Sequence, residues 1–400
     1  MRILQVANFV SPQSGGIRTA LAAWARRYQA LGHEVTALVP EAGDDPAQWW
    51  PEHPDARTTP GMAVGAGYRL ITAQAEVMRL VDRWRPDVIE LSDRTTLRWL
   101  PAWAASRGIA CVMVAHEHVQ DVLTTRGFSR AVSCAVADLA NMGAGRRATT
   151  VVTPSRYAAL EPARVGVHAR VVPLGVDIEA FHPRLRVHPG RAGGGAPGAP
   201  GTPGGGPLRL VHVGRLSREK RPWLSIETLR ALLQREVDAE LVVLGSGPLA
   251  GDLERRAAGL PVEFLGHRPR AQVAETLANA DVALAPAPAE TFGLGALEAM
   301  ACGTPVVCSD TGALPEVVGI GGSQRDADPR QFAAAARALA ADPVARERAR
   351  RRAVAQGWHA SACAMLATHA EAIARLAPPR RVSWRTRVTD ARLAREGVGE

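Results

Sequence analysis

Of the 48 basic side chains in this 400-residue chain, one is a lysine, Lys220, and the others are arginines. A composition that uses arginine wherever either cation would serve draws attention to the place where it does not. A compact ammonium on a flexible stem does what a planar guanidinium cannot. Lys220 stands in VHVGRLSREKRP, five residues after Arg215, in a loop that follows an apolar run reading as a strand. Farther on, APAPAETFGLGALEAM sets Glu290 and Glu298 with seven residues between them. Gly293 and Gly295 leave the backbone bare where a helix begins, and the first N–H groups of a helix favour an anion. A guanidinium fork, an ammonium and such a helix start are the parts needed to hold a diphosphate. Two carboxylates beside it can accept from hydroxyls.

Other residues carry weaker signals. Gly15 and Gly16 close the loop after the first apolar run and open an amphipathic helix, so a ligand can approach the backbone there. The pattern is not GxGxxG, and after the second strand the first acid is Glu41, in the following loop, so a dinucleotide fingerprint is not supported. His116 ends the run ACVMVAH and should point into a cleft, as a polar contact or a proton handler. His118 forms an HxH pair with it, but two ligands without a third make a poor metal site, and His118 reads as structural. Asp326 and Asp328 spell DxD, yet Asp328 before Pro329 reads as a helix N-cap. Five scattered cysteines without a CxxC pair argue against a zinc site and a disulfide framework, and suit a reducing cytoplasm.

The elements that position these residues alternate. In residues 1–180 the strand-like runs are RILQVAN, HEVTALVP, DVIELS, ACVMVAH, TTVVTPS and ARVVPLG, with a helix from about Ile17 to Leu31 after the first. In residues 208–376 they are LRLVHVG, AELVVLGSG, VEFLGH, DVALAPA and TPVVCSD, and the Ala- and Arg-rich stretch from 330 onward reads as terminal helices. Alternation of this kind marks parallel α/β sheets. Residues 181–207 form a linker whose core, PGRAGGGAPGAPGTPGGGP, is too rich in Gly and Pro to build a core of its own. Residues 377–400 make a basic tail. The net charge of +9 divides as +2, +3, +1 and about +3 over these four parts, so both bodies are nearly neutral. No basic stripe interleaved with aromatics argues for nucleic acid. The chain starts on a strand, with no signal-peptide pattern and no apolar run long enough to cross a bilayer.

On these pieces the chain resembles the retaining glycosyltransferases of the GT-B fold, family 4, from Met1 to about Leu376. The matching segments are SGGIRTA, AHEH, VVTPSRY, VVPLGVDIEAF, VHVGRLSREKRP, LVVLGSGP, FLGHRP and the Glu290/Glu298 spacing. The resemblance implies two Rossmann-like doubly wound domains facing across a cleft, the first for the acceptor and the second for a nucleoside diphosphate sugar. It implies that Arg215 and Lys220 clamp the donor diphosphate and that Glu298 accepts from the ribose. Glu290 would contact the transferred sugar, and Gly293 and Leu294 would offer backbone N–H groups. By the same implication Gly16 faces the diphosphate, His116 lies near the sugar, and Gly247 and the segment 265–268 line the base. Family members need no catalytic metal and no cofactor, the nucleotide sugar being a co-substrate. The expected activity is transfer of a hexose to an acceptor hydroxyl with retention, by front-face attack; a covalent Glu290 intermediate is the alternative. A nucleotide-sugar epimerase of the same fold and a non-catalytic nucleotide-sugar binder are the other classes. The overall look of the N-terminal half favours GDP-mannose over UDP-sugars. The acceptor is open between a lipid and a soluble hydroxyl compound. The basic tail and Arg79, Arg83 and Arg85 would suit peripheral contact with a membrane. Leu174, where an asparagine is common, and the long linker depart from the family pattern.

Overall fold

The computed structural model describes residues 1–12, 14–41, 45–65, 67–187 and 206–376. The heart of the Gly/Pro-rich linker and the basic tail, both named above, lie outside the described residues.

The first half gives β1 (Arg2–Ala7), β2 (Glu34–Pro40), β3 (Ala56–Thr59), β4 (Gly61–Gly65), β5 (Tyr68–Ile71), β6 (Val88–Ser92), β7 (Ala110–Val114), β8 (Thr150–Thr153) and β9 (Ala169–Val171). Seven of these form one sheet in the order β3-β2-β1-β6-β7-β8-β9, with every neighbouring pair parallel. All five residues of β6 and of β7 are buried, as strands covered by helices on both faces must be. β4 and β5 form a separate antiparallel hairpin, which the sequence reading did not separate from its surroundings.

The second half gives β10 (Leu208–Val213), β11 (Ala239–Leu244), β12 (Val262–Gly266), β13 (Val282–Ala285), β14 (Val306–Ser309) and β15 (Gly322–Arg325). They form a parallel sheet in the order β12-β11-β10-β13-β14-β15. In both sheets the strand order reverses beside the first strand, between β1 and β6 and between β10 and β13. Crevices open at the carboxyl ends of strands at such switch points. The loops after β1, β10 and β13 carry Gly16, Lys220 and Glu290.

Two boundaries differ from the sequence reading. Phe181–Val187, counted with the linker, is docked on the second half. Arg186 pairs with Asp281 at 2.8 Å, the Val187 amide donates to Asn279, and Arg270 lies over the Phe181 ring. The last helix, Trp358–Leu376, was grouped with the second sheet but packs on the first. Trp24 Nε1 donates to Ser361 Oγ at 2.9 Å, and Arg170 pairs with Glu371. Beneath the helix lies a fully buried polar set. Glu90 accepts from Tyr28 Oη at 2.7 Å and from Gln5 Nε2 at 2.9 Å, and meets His369 Nε2 at 2.9 Å. Burial alone would raise the Glu90 carboxyl, but His369, Tyr28 and Gln5 together hold it below its usual value. The two halves meet where the chain enters this helix. The Val176 amide donates to the Gln356 carbonyl at 3.0 Å, and a Cβ on Gly175 would stand 2.5 Å from the Trp358 backbone.

Candidate active site

The loop after β10 turns through Ser217 into one turn of 3-10 helix, Arg218–Lys220, and this carries the lysine back over the end of the sheet. Lys220 Nζ reaches Glu290 in the loop after β13, at 2.5 Å. Both line a small hollow with Gly214, Pro286, Gly293, Gly295 and Ala296, floored by His212. Burial and then the nearby Lys220 lower His212 to about 4, and its Nδ1 lies 2.9 Å from Ser225 Oγ. The imidazole is therefore neutral and the lysine carries the charge beside the hollow.

The helix Leu294–Ala301 points its start into this hollow. Gly293, its N-cap, has φ +99°, and a Cβ there would come 2.5 Å from a Leu314 methyl. No other residue fits both conditions without strain. Within the helix the first inward bonds are made by the amides of Ala296 and Leu297 to the Gly293 carbonyl. The amides of Leu294 and Gly295 are thus the orphan donors of the helix start. Glu298 follows one turn later. Among the described residues its carboxylate has no hydrogen-bond or ion-pair partner at contact distance. Burial pushes it up to about 7, against a lowering by Arg270, with Asp177 adding to the rise. A half-buried acid kept without a partner is poised to accept from ligand hydroxyls.

The first half closes the other side. Gly16 begins the helix Gly16–Ala30, and a Cβ on it would lie 3.8 Å from Leu294 Cδ1. The His116 carbonyl accepts from Thr291 Oγ1 at 2.7 Å, and Ser155 Oγ donates to the Thr291 carbonyl at 2.7 Å. The Glu290 loop is therefore held by both halves. His116 Nε2 lies 3.0 Å from Ser92 Oγ, and burial lowers the ring to about 4, so it is an uncharged polar contact at neutral pH.

The structure thus gathers Lys220, Glu290, Gly293, Leu294, Gly16 and His116 around one crevice, with Glu298 one turn farther along. Arg215 is placed differently from the pairing that the sequence suggested. It does not line the hollow with Lys220, and its guanidinium reaches Tyr68 Oη on β5, 3.3 Å away across the crevice. Gly247 is explained without a ligand, because a Cβ there would stand 2.4 Å from the Leu216 carbonyl oxygen. His118 is structural. Its Nδ1 is 2.8 Å from Asp121 and its ring stacks on Tyr157, next to a buried Arg94–Glu161 pair. Asp328 caps its helix through the Arg330 amide. The sequence reading does not single out Tyr68, Ser92, Thr291 or His212, although Thr291 and His212 lie inside motifs that it names. A larger open groove of about 700 Å³, lined by Arg146, His168, Arg170 and Arg375, sits at the opposite end of the first sheet, where β8 and β9 begin. Among the described residues no group of three metal-ligating side chains occurs.

Two parallel sheets of seven and six strands, with Lys220, Glu290 and a helix start gathered at the end of the second, have the architecture of a GT-B glycosyltransferase. The chain belongs to the family 4 glycosyltransferases: its residues 14–180 match the Glycosyltransferase Family 4 model and residues 207–342 the Glycosyl transferases group 1 model. It is 42% identical, over 92% of its own length and 96% of the relative's, to a GDP-mannose-dependent alpha-(1-6)-phosphatidylinositol dimannoside mannosyltransferase of Mycobacterium tuberculosis. The Arabidopsis thaliana sulfoquinovosyl transferase SQD2 is 26% identical over 78% of this chain and 61% of its own. In fold it is similar to Anabaena HepE in complex with UDP and glucose, with TM-score 0.70, 18% identity and coverage of 92% of this chain and 99% of that one. The sucrose-phosphate synthase of Thermosynechococcus elongatus gives TM-score 0.70 at 22% identity, covering 94% and 99%.

Proposed function

We propose that this glycosyltransferase moves mannose from GDP-mannose to a hydroxyl of a phosphatidylinositol mannoside, with retention and without a metal. The 42% identity across nearly the whole of both chains carries the donor and acceptor classes. GDP-mannose is an α-glycosyl phosphate, so an alpha-linked product means retention.

In this reading the second half takes the donor. Lys220 and the free amides of Leu294 and Gly295 stabilise charge growing on the departing diphosphate, and preorganised donors of this kind are worth roughly 10²–10³ in rate each. Arg215 leaves Tyr68 for the phosphates. Glu298 accepts from the ribose hydroxyls. The acceptor oxygen approaches C1 on the face from which GDP departs. The C1–O bond to phosphate breaks, the C1–O bond to the acceptor forms, and the acceptor proton passes to a phosphate oxygen of GDP. Glu290, fixed by Lys220, holds the sugar hydroxyls, and neutral His116 lies on the acceptor side. Closure of the halves excludes water and limits hydrolysis.

A thermal-shift series tests the donor, since a ligand that binds only the folded state raises the melting point. GDP and GDP-mannose should stabilise the protein more than UDP and UDP-glucose. A larger shift with the uridine ligands would overturn the donor assignment.

A further inference from the structure

The helix Arg130–Ala140 is packed by Ser133, Ala137 and, just beyond its end, Asn141. Its other face is left in solvent, and it is apolar. Phe128, Val132, Val136, Leu139 and Met142 are 52, 49, 45, 59 and 37% exposed. At 100° per residue, positions 132, 135, 136 and 139 fall on one side of the helix, with Ala135 filling the gap, and Phe128 lies just before the N-cap Ser129. The α-helical part of the stripe, from Val132 to Leu139, is about 10 Å long at 1.5 Å per residue. Leu160, 61% exposed, stands on the neighbouring helix Arg156–Ala163, which Arg164 ties to Asp138 at 2.8 Å. That ion pair turns the one acid of the helix away from the stripe. Exposed Arg126 and Arg130 stand at one end and exposed Arg146 and Arg147 at the other. An apolar ridge with cations at both ends and no free acid matches a bilayer whose headgroups are anionic. It fits a protein partner less well, because protein surfaces offer mixed charge.

Position strengthens the match. The helix Val119–Thr125 packs along Arg130–Ala140 and also touches Arg218–Lys220, the turn that carries the donor-side lysine. The helix that bears the stripe is therefore separated from the donor-side turn by one helix.

We propose that the face Phe128–Met142 docks this protein on anionic phospholipid, apolar side chains among the acyl chains and the flanking arginines on the headgroups. The inference rests on the lipid-acceptor reading above. A headgroup could then enter the crevice while its tails stay in the bilayer, so the protein acts at the surface without crossing it. Among the described residues no helix is long and apolar enough to span a membrane.

Sedimentation of the full chain with phosphatidylcholine vesicles, with and without phosphatidylinositol, tests this. Wild type should pellet only with the phosphatidylinositol vesicles, and less at high salt. Val132→Asn/Leu139→Asn, changed only at exposed positions, should bind at least about tenfold more weakly, the loss expected for withdrawing two apolar side chains from lipid. Its GDP thermal shift should match wild type, which shows that it is folded. Vesicle binding equal to wild type in this variant overturns the proposal. So does a dimer in solution that the double substitution dissolves while vesicle binding persists, which would make the face a contact between two copies. Transfer to a deacylated, water-soluble acceptor separates the two claims. If wild type labels neither it nor the lipid acceptor in vesicles, the acceptor reading fails; if the variant keeps transfer to the soluble acceptor and loses only vesicle binding, the docking face stands.

Discussion

Lys220 is one ammonium in a chain of arginines, and its contact with Glu290 explains why. A guanidinium is broader and could not place one point of charge between a carboxylate and the phosphates. Lys220→Ala should lower mannosyl transfer by at least about tenfold, with the protein still folded by circular dichroism; wild-type turnover in that variant would remove the clamp. Glu298 gives a pH signature. Its free carboxyl sits at about 7, raised by burial above the usual 4.5. Ribose hydroxyls donate best to the ionised form, so a bound nucleotide lowers this value. Affinity for GDP should be full above pH 7 and fall as pH drops below it, by at most about tenfold per unit. Glu298→Gln should flatten that profile. The same raised value costs stability as pH rises from about 4.5 to about 7, where the unfolded acid ionises and the folded one does not, so Glu298→Gln should raise the melting temperature at pH 8 and leave it nearly unchanged at pH 4. Calorimetric titration and thermal melts across pH check both signs. At this scale the sequence was half legible. Type and spacing marked Lys220, Glu290 and Glu298, because the first two follow strands and the third lies in the helix that comes next. The partners of Arg215 and His116 were hidden, because Tyr68 and Thr291 are brought by other elements from 147 and 175 residues away.

The interior strands and first helices were readable because burial on both faces demands near-continuous apolar runs, as in ACVMV, whereas the edge strands β3 and β15 were not read. The β4–β5 hairpin was not, since Gly61–Ile71 is short and mixed in character. The terminal helix was recognisable as a helix, but its destination was not. Its allegiance to the first sheet depends on Glu90 meeting His369, 279 positions apart and each unremarkable alone. Breaking that set by Glu90→Ala would strand His369 and Tyr28 in a fully buried site. The expected cost is about 3–5 kcal/mol, read by urea denaturation at pH 7. A loss below about 1 kcal/mol would show that the set does not anchor the helix.

At the scale of the molecule, two doubly wound sheets are joined at one side by the 175–177 and 356–358 backbone pairing and face each other across the crevice. Glu290 and His116 meet there only because the halves meet, through Thr291. In the proposed reaction the electrostatic work falls to Lys220, Arg215 and a helix start, so transfer should persist in EDTA; loss of turnover restored by Mn²⁺ or Mg²⁺ would contradict that proposal. The central claim is the identity of donor and acceptor, and the most direct test supplies both. Purified protein, mannose-labelled GDP-mannose and phosphatidylinositol dimannoside in vesicles should yield a lipid bearing one additional α-linked mannose. Folded protein that leaves this acceptor unlabelled, or labels it only from a UDP-sugar, would contradict the account.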